Sequence, residues 1–356
     1  MSHHKQYNYC LDFMKGIACL FVVWMHCEFP GRMGIIVQAI SRFCVPFFFM
    51  VSGYYSGDMS KRVMGEGREL IPNKKVLHIL KITMWATLFY FIWAVICNLI
   101  WQDKSLSISM TEAAIWIVFN EPVIIGGHLW FLFALLYDYI LVSLFDGTRI
   151  HKRQYIYGAI SLALLFLLGQ GFHLLDIQVP VPEFIRCHLS GGSRFAHVPN
   201  FVYRNWLIEG LAFFMLGRWI KENKDKVKIS NTVLMIVVVL SSLLCLVERQ
   251  IMGRDFGVNI CTLPQVFALF LYAVKNRNRH AGLMQRVGKD CSMLVYILHV
   301  FIWDVIAKVY VILGISNNSL AKFLLPIFVV VASIVTAMVF NRFVFVFKNK
   351  LQMASK

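Results

Sequence analysis

Charged residues are scarce in this sequence of 356 residues. They make up 15% of the chain, against about 25% in average soluble proteins. Acidic residues are the rarer kind, with 19 Asp and Glu against 35 Lys and Arg, while hydrophobic residues reach 58% and the mean hydropathy is +0.65. This shortage of charge excludes an ordinary soluble protein and indicates a chain that is embedded in a membrane.

Long polar stretches are also lacking, because apolar runs recur along the whole chain. Runs of roughly 18 or more apolar residues are long enough to cross about 30 Å of hydrocarbon. Ten spans are predicted, at 11–28, 36–56, 79–100, 128–145, 155–174, 201–217, 231–248, 258–274, 291–311 and 320–341. Segment 111–125 is shorter and contains Asn120 and Pro122, so it is predicted to be re-entrant or interfacial. The predicted fold is an all-α polytopic membrane protein of about ten transmembrane helices, with one domain over 1–347 and a short basic cytosolic tail over 348–356.

The basic residues are unevenly distributed between the predicted loops. With a cytosolic N-terminus, 23 of the 35 Lys and Arg fall in the termini and loops on the cytosolic side, and six fall in the opposite loops. This asymmetry is the positive-inside rule. It predicts that both termini are cytosolic, that the chain is a multi-pass protein of the cytoplasmic (inner) membrane, and that the net charge of +16 reflects topology. Nucleic acid is therefore not a predicted partner; the lipid bilayer is.

Motifs for signal cleavage, disulfides and metal ions are missing. The first apolar run is followed by HCEFPGR, which has no small-residue cleavage site, so the run is predicted to be a retained span. The nine Cys lie mostly within spans without a repeated spacing, and the Cys and His residues form no HExxH or CxxC motif. We expect no disulfide framework, no metal site and no permanently bound cofactor.

The first span, LDFMKGIACLFVVWMHCEF, contains Lys15 and His26. Ionisable groups within a bilayer span are costly and usually mark a functional site. On a helix, eleven positions bring the two side chains to within about 20° of one face and separate them by about 16 Å along the axis. The alternative is a lysine that extends to the interface and a histidine that is hydrogen-bonded to a neighbouring helix.

Several segments, in order, resemble the acyltransferase-3 family of integral-membrane acyltransferases. The similar segments are LDFMKGIACLFVVWMH, SRFCVPFFFMVSGYYSG, NKKVLHILKITMWATLFY, HLWFLFALLYDYI, EGLAFFMLG and SMLVYILH. The strongest of them are the basic residue and His separated by ten residues and the Phe-rich block that ends in Ser-Gly-aromatic. The family's basic position is often Arg, whereas this chain has Lys15, which lacks the planar fork of a guanidinium.

The resemblance implies transfer of an acyl group, in the first place acetyl, from cytosolic acyl-CoA to a hydroxyl group. The acceptor would be an extracytoplasmic or lipid-linked cell-surface glycan. His26 is the predicted general base, since a buried neutral imidazole can accept a proton near neutral pH. Lys15 lies at the cytosolic level, where it could contact the phosphates of the donor or orient its thioester.

Cations near the cytosolic face are predicted to bind the anionic donor. Lys74, Lys75 and His78 stand at i, i+1 and i+4 where the third predicted helix begins, so Lys74 and His78 share a face. The alternative is that the two lysines are only a topology signal. Arg42 lies within a span, where its charge must be paired or hydrated, and Glu209 is a possible partner.

Three further features are weaker candidates. Ser52, near the end of the Phe-rich helix, could donate to a developing oxyanion. His299 is a possible supporting residue, although it and Asp138 are expected somewhat more to form structural hydrogen bonds. The loop 175–202 carries aromatic and polar side chains that suit a sugar acceptor, or it serves only as a connector.

Two other classes of function compete with the enzyme. A transporter of a small solute or polymer could use the same buried cations and imidazole to line a path. No convincing inverted repeat, a common feature of transporters, relates the two halves of the sequence, and the basic entry at Lys74–His78 favours a nucleotide-like donor. A non-catalytic scaffold is disfavoured by ionisable residues that share one stripe of a span.

Overall fold

The computed structural model describes residues 7–57, 74–102, 108–120, 122, 126–146, 153–180, 195–196, 198–254, 256–279 and 282–354. Helices dominate these residues. Those of ten or more residues are α1 Tyr9–His26, α2 Gly31–Ser41, α3 Cys44–Ser56, α4 Lys74–Trp101, α5 Met110–Phe119, α6 Trp130–Phe145, α7 Gln154–Phe166, α8 Leu211–Asn223, α9 Asn231–Met252, α10 Thr262–Lys275, α11 Ser292–Ile312 and α12 Ser319–Ala354. The predicted all-helical class is therefore confirmed.

Shorter elements extend or join these helices. Three π-helical turns follow α7, precede α8 and precede α11, at Leu167–Gly171, Trp206–Gly210 and Val287–Cys291. The remaining short pieces are the 3₁₀ turn Gly127–Leu129 and the helical segments Phe172–Leu174, Asn200–Tyr203 and Leu283–Arg286. Strands β1 (Val179–Pro180) and β2 (Phe195–Ala196) form a two-residue antiparallel ladder.

Local sequence explains where several helices begin. The Asn8 side chain caps α1 by accepting a hydrogen bond from the Leu11 amide at 2.8 Å. Ser109 and Glu112 form a reciprocal capping box at the start of α5, which satisfies two amides that would otherwise have no helical partner. Pro326 lies inside α12, where the apolar sequence on both sides continues the helix.

Among the described residues, eight stretches are long and apolar enough to cross a membrane. They are Tyr9–His26, Gly31–Ser56, Lys74–Trp101, Gly127–Phe145, Gln154–Leu174, Asn231–Met252, Leu283–Ile312 and Ser319–Phe347. The other two predicted spans, 201–217 and 258–274, fall on α8 with its π-turn and on α10. α10 has only 14 residues, fewer than the roughly 20 that a crossing needs. The described residues thus support eight of the ten predicted crossings by length and composition.

The predicted re-entrant or interfacial segment contains a short helix. α5 has ten residues and ends where Asn120 adopts a left-handed conformation with φ of 51°. A helix of this length cannot cross the bilayer. At the other end of the chain, α12 continues to Ala354, so most of the predicted tail 348–356 is helical.

The chain divides into two compact units. The first comprises 1–47, 228–246 and 261–356, and the second comprises 48–227 and 247–260. In the first unit α1 is central and packs against α2, α10, α11, α12 and the segment 283–291. In the second unit α8 packs against α7, and α6 packs against α4 and the π-turn before α8.

Within the first unit, backbone packs directly on backbone. A Cβ atom at Gly288 would lie 1.8 Å from the Asp12 carbonyl oxygen, and one at Gly16 would lie 2.2 Å from that of Met284. Real side chains cannot approach so closely. Glycine at these two positions therefore allows α1 to lie against the segment that precedes α11.

The second unit contains a similar approach between α3 and α8. A Cβ atom at Gly53 would lie 1.9 Å from the Phe214 carbonyl oxygen, and one at Gly217 would lie 2.1 Å from that of Met50. Because the residue numbers of the two contacts run in opposite directions, the helices are antiparallel here. The glycines of the SGYY and FFMLG segments are thus contact points between helices.

Candidate active site

α1 is fixed in the first unit at its N-terminal end. The Asn8 amide group donates to the Ala273 carbonyl at 3.2 Å, and the Tyr9 backbone amide donates to the Arg277 carbonyl at 2.8 Å. Ala273 lies in the last turn of α10, and Arg277 lies two residues beyond its end. The orientation of the α1 side chains is therefore set by its own cap and by a neighbouring helix end.

Lys15 forms an ion pair on its own helix. Its Nζ lies 2.9 Å from Asp12 Oδ1, and the two side chains are 18% and 12% exposed. The Tyr7 hydroxyl also donates to Asp12 and accepts a hydrogen bond from Gln285 at 2.7 Å. Lys289 lies over the Tyr7 ring, with its Nζ 5.0 Å from the ring centre. The charge of Lys15 is thus compensated within the protein.

The Asp12 carboxylate also changes the pKa of the Tyr7 hydroxyl. Partial burial raises the pKa of its hydroxyl, and the hydrogen bond to Asp12 and the negative charge of that group raise the pKa further. The hydroxyl stays protonated well above neutral pH and can keep donating to Asp12. The Asp12 carboxylate is therefore held by Lys15 on one side and by a permanent donor on the other.

His26 lies in the last turn of α1, near the ring of His299 on α11. The ring centres are 5.1 Å apart and the ring planes are inclined by 47°. His26 is partly exposed, whereas His299 has no exposed surface. His299 Nδ1 lies 3.1 Å from the Val295 carbonyl oxygen. Both histidines were candidates from the sequence, but the sequence did not predict that they meet.

α1 and α11 also contact each other two helical turns before the histidines. The Cys19 thiol lies 3.8 Å from the Ser292 carbonyl oxygen. Cys19 precedes His26 by seven residues and Ser292 precedes His299 by seven residues, so the helices run parallel with two layers of contact about 10 Å apart. This register places His26 opposite His299.

A second group of side chains supports the His26 turn from α2. The Gln38 amide group donates to the carbonyl oxygens of Met25 at 2.8 Å and Trp24 at 3.3 Å, which lie at the C-terminal end of α1. Gln38 Oε1 in turn accepts a hydrogen bond from the Arg42 guanidinium at 2.9 Å. Arg42 follows α2 at a break in the helical path. Sequence reasoning missed Gln38, since an uncharged glutamine carries no distinctive signal.

Arg42 is therefore linked to the His26 end of α1. Met25 is ten residues from Lys15, which is about 15 Å along a helix. Arg42 was expected from the sequence to contribute to donor binding, which stays a prediction; the link through Gln38 associates Arg42 with the His26 turn. Its predicted pairing with Glu209 stays a prediction.

The other predicted donor-binding residues belong to the second unit. Lys75 donates to the carbonyl oxygens of Tyr55 and Ser56, the latter at 2.7 Å, and so caps the C-terminal end of α3. Lys74 and His78 are exposed on the first turns of α4. Lys75 thus has a structural role in addition to any contact with a donor, while Lys74 and His78 are accessible.

Ser52 uses its hydroxyl within its own helix. Ser52 Oγ donates to the Phe48 carbonyl at 2.9 Å, and the Ser52 carbonyl accepts from the Tyr139 hydroxyl at 3.4 Å. A hydroxyl that is bonded in this way has to break a hydrogen bond before it can serve an oxyanion. This arrangement favours a packing role for Ser52 over the predicted catalytic one.

The second unit contains two buried carboxyl groups, one on α6 and one on the π-turn that packs against α6. Glu209 is 1% exposed and belongs to the π-turn before α8. Asp138, on α6, is completely buried, and within the described part of the chain neither of its oxygens has a hydrogen-bond partner. A Cβ atom at Gly210 would lie 2.5 Å from Asp138 Oδ2. The structural hydrogen bonds expected for Asp138 are thus not found among these residues.

The remaining predictions concern the acceptor loop and metal ions. Most of the predicted acceptor loop 175–202 lies outside the described residues, since 181–194 and 197 are not among them. For metal ions, the described ranges contain no group of three or more His, Cys, Asp or Glu that could form a site.

Two curated proteins are similar in sequence to this chain. The chain is 27% identical over 252 residues to a serine/alanine racemase of Enterococcus gallinarum, which covers 67% of this chain and 32% of that protein. It is 24% identical over 339 residues to an amino-acid racemase of Enterococcus faecalis, which covers 92% of this chain and 45% of that protein. The chain thus spans less than half the length of these curated relatives.

A comparison with solved structures found no match, whereas a comparison with family models found one. No solved structure matches the chain. The model of the acyltransferase-3 family, described as an acyltransferase domain, matches residues 8–342. This range includes α1 with Lys15 and His26, the π-turns, and α11 with His299. The chain therefore belongs to the acyltransferase-3 family of membrane proteins.

Proposed function

We propose that this protein transfers an acyl group, in the first place acetyl, from cytosolic acyl-CoA to a hydroxyl of an extracytoplasmic or lipid-linked cell-surface glycan. The observation that carries the proposal is the position of His26. Its imidazole ends the first membrane-spanning helix, is partly exposed, and lies against a second, fully buried imidazole. A partly accessible imidazole at this place can reach a substrate and act as general base.

The chemistry requires no group other than the two substrates and the protein. His26 takes the proton from the acceptor hydroxyl as the oxygen bonds to the acyl carbon. The carbon–sulfur bond of the thioester then breaks, and the CoA sulfur leaves as a thiolate that takes the proton back from His26. No metal ion or permanently bound cofactor is part of the proposal.

The donor is proposed to enter along α1. Because Asp12 compensates Lys15, the phosphates of the donor are better served by exposed cations at the same end of the first unit. Arg279, Arg286 and Lys289 are exposed there, and Lys289 adjoins Tyr7. The acyl end of the donor would then extend about 16 Å along α1 to reach His26. Lys74, Lys75 and His78, which belong to the second unit, stay a separate candidate for binding a donor.

Replacement of His26 tests the proposal. Transfer of labelled acetyl from acetyl-CoA to the glycan fraction is measured in membranes and normalised to folded protein. His26→Ala is expected to lower the rate by about 10²–10⁴-fold, the usual contribution of a general base, with folded yield retained. His173→Ala, which removes a histidine bonded to the Met252 carbonyl at 2.9 Å, is the control and should keep its rate per folded molecule. A His26→Ala protein with more than about half the wild-type rate would refute the assignment.

A second candidate function is binding or transport of a small polar solute. The observation that favours it is the similarity over 92% of this chain to part of a protein named an amino-acid racemase. Uptake of labelled serine and alanine into vesicles containing the protein distinguishes the two functions. Uptake that depends on this chain, without acyl transfer, would replace the enzyme proposal by the transporter.

A further inference from the structure

The Arg204 side chain, in the second unit, lies against an aromatic ring. Its guanidinium is 4.8 Å from the centre of the Trp130 ring, and Trp130 is 4% exposed. Arg204 itself is partly exposed, but its Nε is buried and, within the described part of the chain, has no hydrogen-bond partner. A buried N–H without an acceptor is costly and rare in native proteins. It therefore marks a place where a bound ligand can supply the missing acceptor.

The backbone at Arg204 is fixed on both sides. The Arg204 amide donates to the Asn200 carbonyl at 2.7 Å. The next residue, Asn205, is 4% exposed, and its Oδ1 accepts hydrogen bonds from the amides of Leu207 and Ile208 at 3.0 and 3.1 Å. These bonds determine how the chain enters the π-turn before α8. The Arg204 side chain thus starts from a rigid point, as a binding residue requires.

Trp130 is connected to the same π-turn by Asn120. The Asn120 side chain is completely buried. It donates to the Trp130 carbonyl at 3.0 Å and accepts from the Trp206 amide at 3.1 Å. Trp206 in turn donates from its ring to the Val118 carbonyl at 3.0 Å. One buried amide group therefore joins the start of α6 to the residue that follows Asn205, and this keeps the ring and the guanidinium together.

Gly257 lies beside the side chains of Arg204 and Glu209. A Cβ atom at Gly257 would lie 3.1 Å from Arg204 Cδ and 3.7 Å from Glu209 Oε2. Gly257 is partly exposed, whereas Glu209 is 1% exposed. A larger side chain at this position would press on Arg204, so glycine keeps the space beside the two groups. A ligand that enters there meets a cation and, next to it, a carboxyl oxygen.

Arg204 lies at the end of α8 that is predicted to be extracytoplasmic. The π-turn of five residues and α8 of 13 residues extend about 27 Å along a helix axis. Their other end leads into the basic segment KDKVK at 224–228, which the predicted topology places in the cytosol. Arg204 is therefore on the predicted side of the membrane from which the proposed acceptor comes.

We propose that Arg204 binds one anionic group, a carboxylate or a phosphate, of the acceptor, and that the acceptor is therefore an acidic sugar unit. A guanidinium offers several N–H donors in a planar fork that matches the oxygens of these groups. The Trp130 ring covers one face of the guanidinium plane and leaves its edge for the ligand. Glu209 accepts a hydrogen bond from a sugar hydroxyl and disfavours a second negative charge. The identification of the ligand as the acceptor rests on the proposed function, whereas the anion site does not.

Binding is tested without turnover on the full chain in lipid nanodiscs. Saturation-transfer difference NMR detects weak ligands, and three probes are compared: glucuronate with a carboxylate, glucose 6-phosphate with a phosphate, and uncharged glucose. At least one anionic sugar should bind, and glucose should not. Arg204→Gln should weaken the binding by about tenfold, because charge-assisted hydrogen bonds are lost. Arg204→Lys, which keeps the charge without the fork, should bind with intermediate affinity.

Arg254→Gln is the matched control. Arg254 is another partly exposed arginine of the second unit; it donates to Asn200 Oδ1 at 3.2 Å and lies over the Phe256 ring. This variant should bind the probes as the wild type does. If Arg204→Gln lowers the melting temperature, Arg204→Lys decides at unchanged melting temperature: weaker binding supports the site and equal binding rejects it.

Three results of the binding experiment would overturn the proposal. The first is that neither anionic sugar binds, and the second is that Arg204→Gln binds them as well as the wild type does. The third is binding of alanine, but of neither anionic sugar, that is lost in Arg204→Gln. That result would assign the site to an amino acid and remove the acidic glycan.

Transfer kinetics separate the anion site from the proposed enzyme. With the glycan fraction as acceptor, Arg204→Gln should raise the KM for the acceptor by about tenfold and leave kcat and the KM for acetyl-CoA unchanged, because the contact is equal in the ground state and the transition state. A raised KM for acetyl-CoA with an unchanged KM for the acceptor would overturn the role in acceptor binding. Binding of an anionic sugar without any acyl transfer would retain the anion site and reject the enzyme.

Discussion

At the scale of single residues, the main interaction of Lys15 is its ion pair with Asp12 on the same helix. Its ammonium group is paired with Asp12, which also accepts from Tyr7. A donor phosphate would have to compete with this carboxylate. The most direct role of Lys15 is therefore to hold the first turns of α1 together at the end opposite His26, and an arginine could keep the same contact.

Substitutions at Lys15 should separate this role from direct contact with the donor. Lys15→Ala leaves the Asp12 carboxylate with Tyr7 alone and should lower stability by about 1–3 kcal/mol, with activity lost in parallel, whereas Lys15→Arg should retain both. Thermal unfolding in detergent and acetyl transfer are measured on the same samples. An unchanged melting temperature with lost transfer in Lys15→Ala would show that the ammonium acts on the substrate.

The residues of the candidate site differ in how visible they are in the sequence. Lys15 and His26 are conspicuous because charge and imidazole are rare within apolar runs. The contact of His26 with His299 joins residues 273 positions apart, and no local spacing reports such a contact. Gln38 is an unremarkable residue whose importance comes only from the helix end that it meets.

At the scale of the elements, glycines determine how closely the helices approach. The contact of α3 with α8 depends on Gly53 and Gly217, where any Cβ atom would overlap a carbonyl oxygen of the facing helix. The two backbones can separate only by giving up the surrounding packing. This contact therefore belongs to the parts of the second unit that tolerate substitution least.

Alanine at either glycine should destabilise the protein. Gly53→Ala and Gly217→Ala are expected to cost about 1–3 kcal/mol or more through overpacking, which is measured as a lower melting temperature and a lower folded yield. Gly169→Ala is the control, since a Cβ atom there would meet its nearest neighbour at 3.6 Å, an ordinary contact distance. Equal stability of all three variants would contradict the close approach.

Hydropathy predicted most elements but not their interruptions. Each of the ten predicted spans coincides with helix, because long apolar runs have few alternatives in a membrane. The break at Arg42, the three π-turns and the short length of α10 were not predicted. Hydropathy reflects the free energy of transferring side chains from water to lipid. It contains no information on how helices contact one another, and these irregularities depend on such contacts.

At the scale of the whole molecule, the number of crossings has a consequence for topology. Eight crossings and ten crossings are both even, so either count places the N- and C-termini on the same side of the membrane. The excess of Lys and Arg in the segments that the ten-span topology places inside predicts that this side is the cytosol.

Reporter fusions at the two termini test this arrangement. Green fluorescent protein at either end should fluoresce, and alkaline phosphatase at either end should be inactive, because both ends are predicted to lie in the cytosol. A phosphatase fusion after residue 317, in the connection between α11 and α12, should be active. Opposite results at the two termini would require an odd number of crossings.

The burial of the cysteines makes the chain suitable for chemical mapping. Of the eight cysteines in the described residues none is in a disulfide, and seven are buried, with Cys261 partly exposed. Buried thiols react slowly with water-soluble maleimides. Once Cys261 and Cys187 are replaced, a single cysteine introduced at a loop position should be the main site of maleimide labelling. The side of the membrane on which each loop lies can then be determined without replacing the buried cysteines.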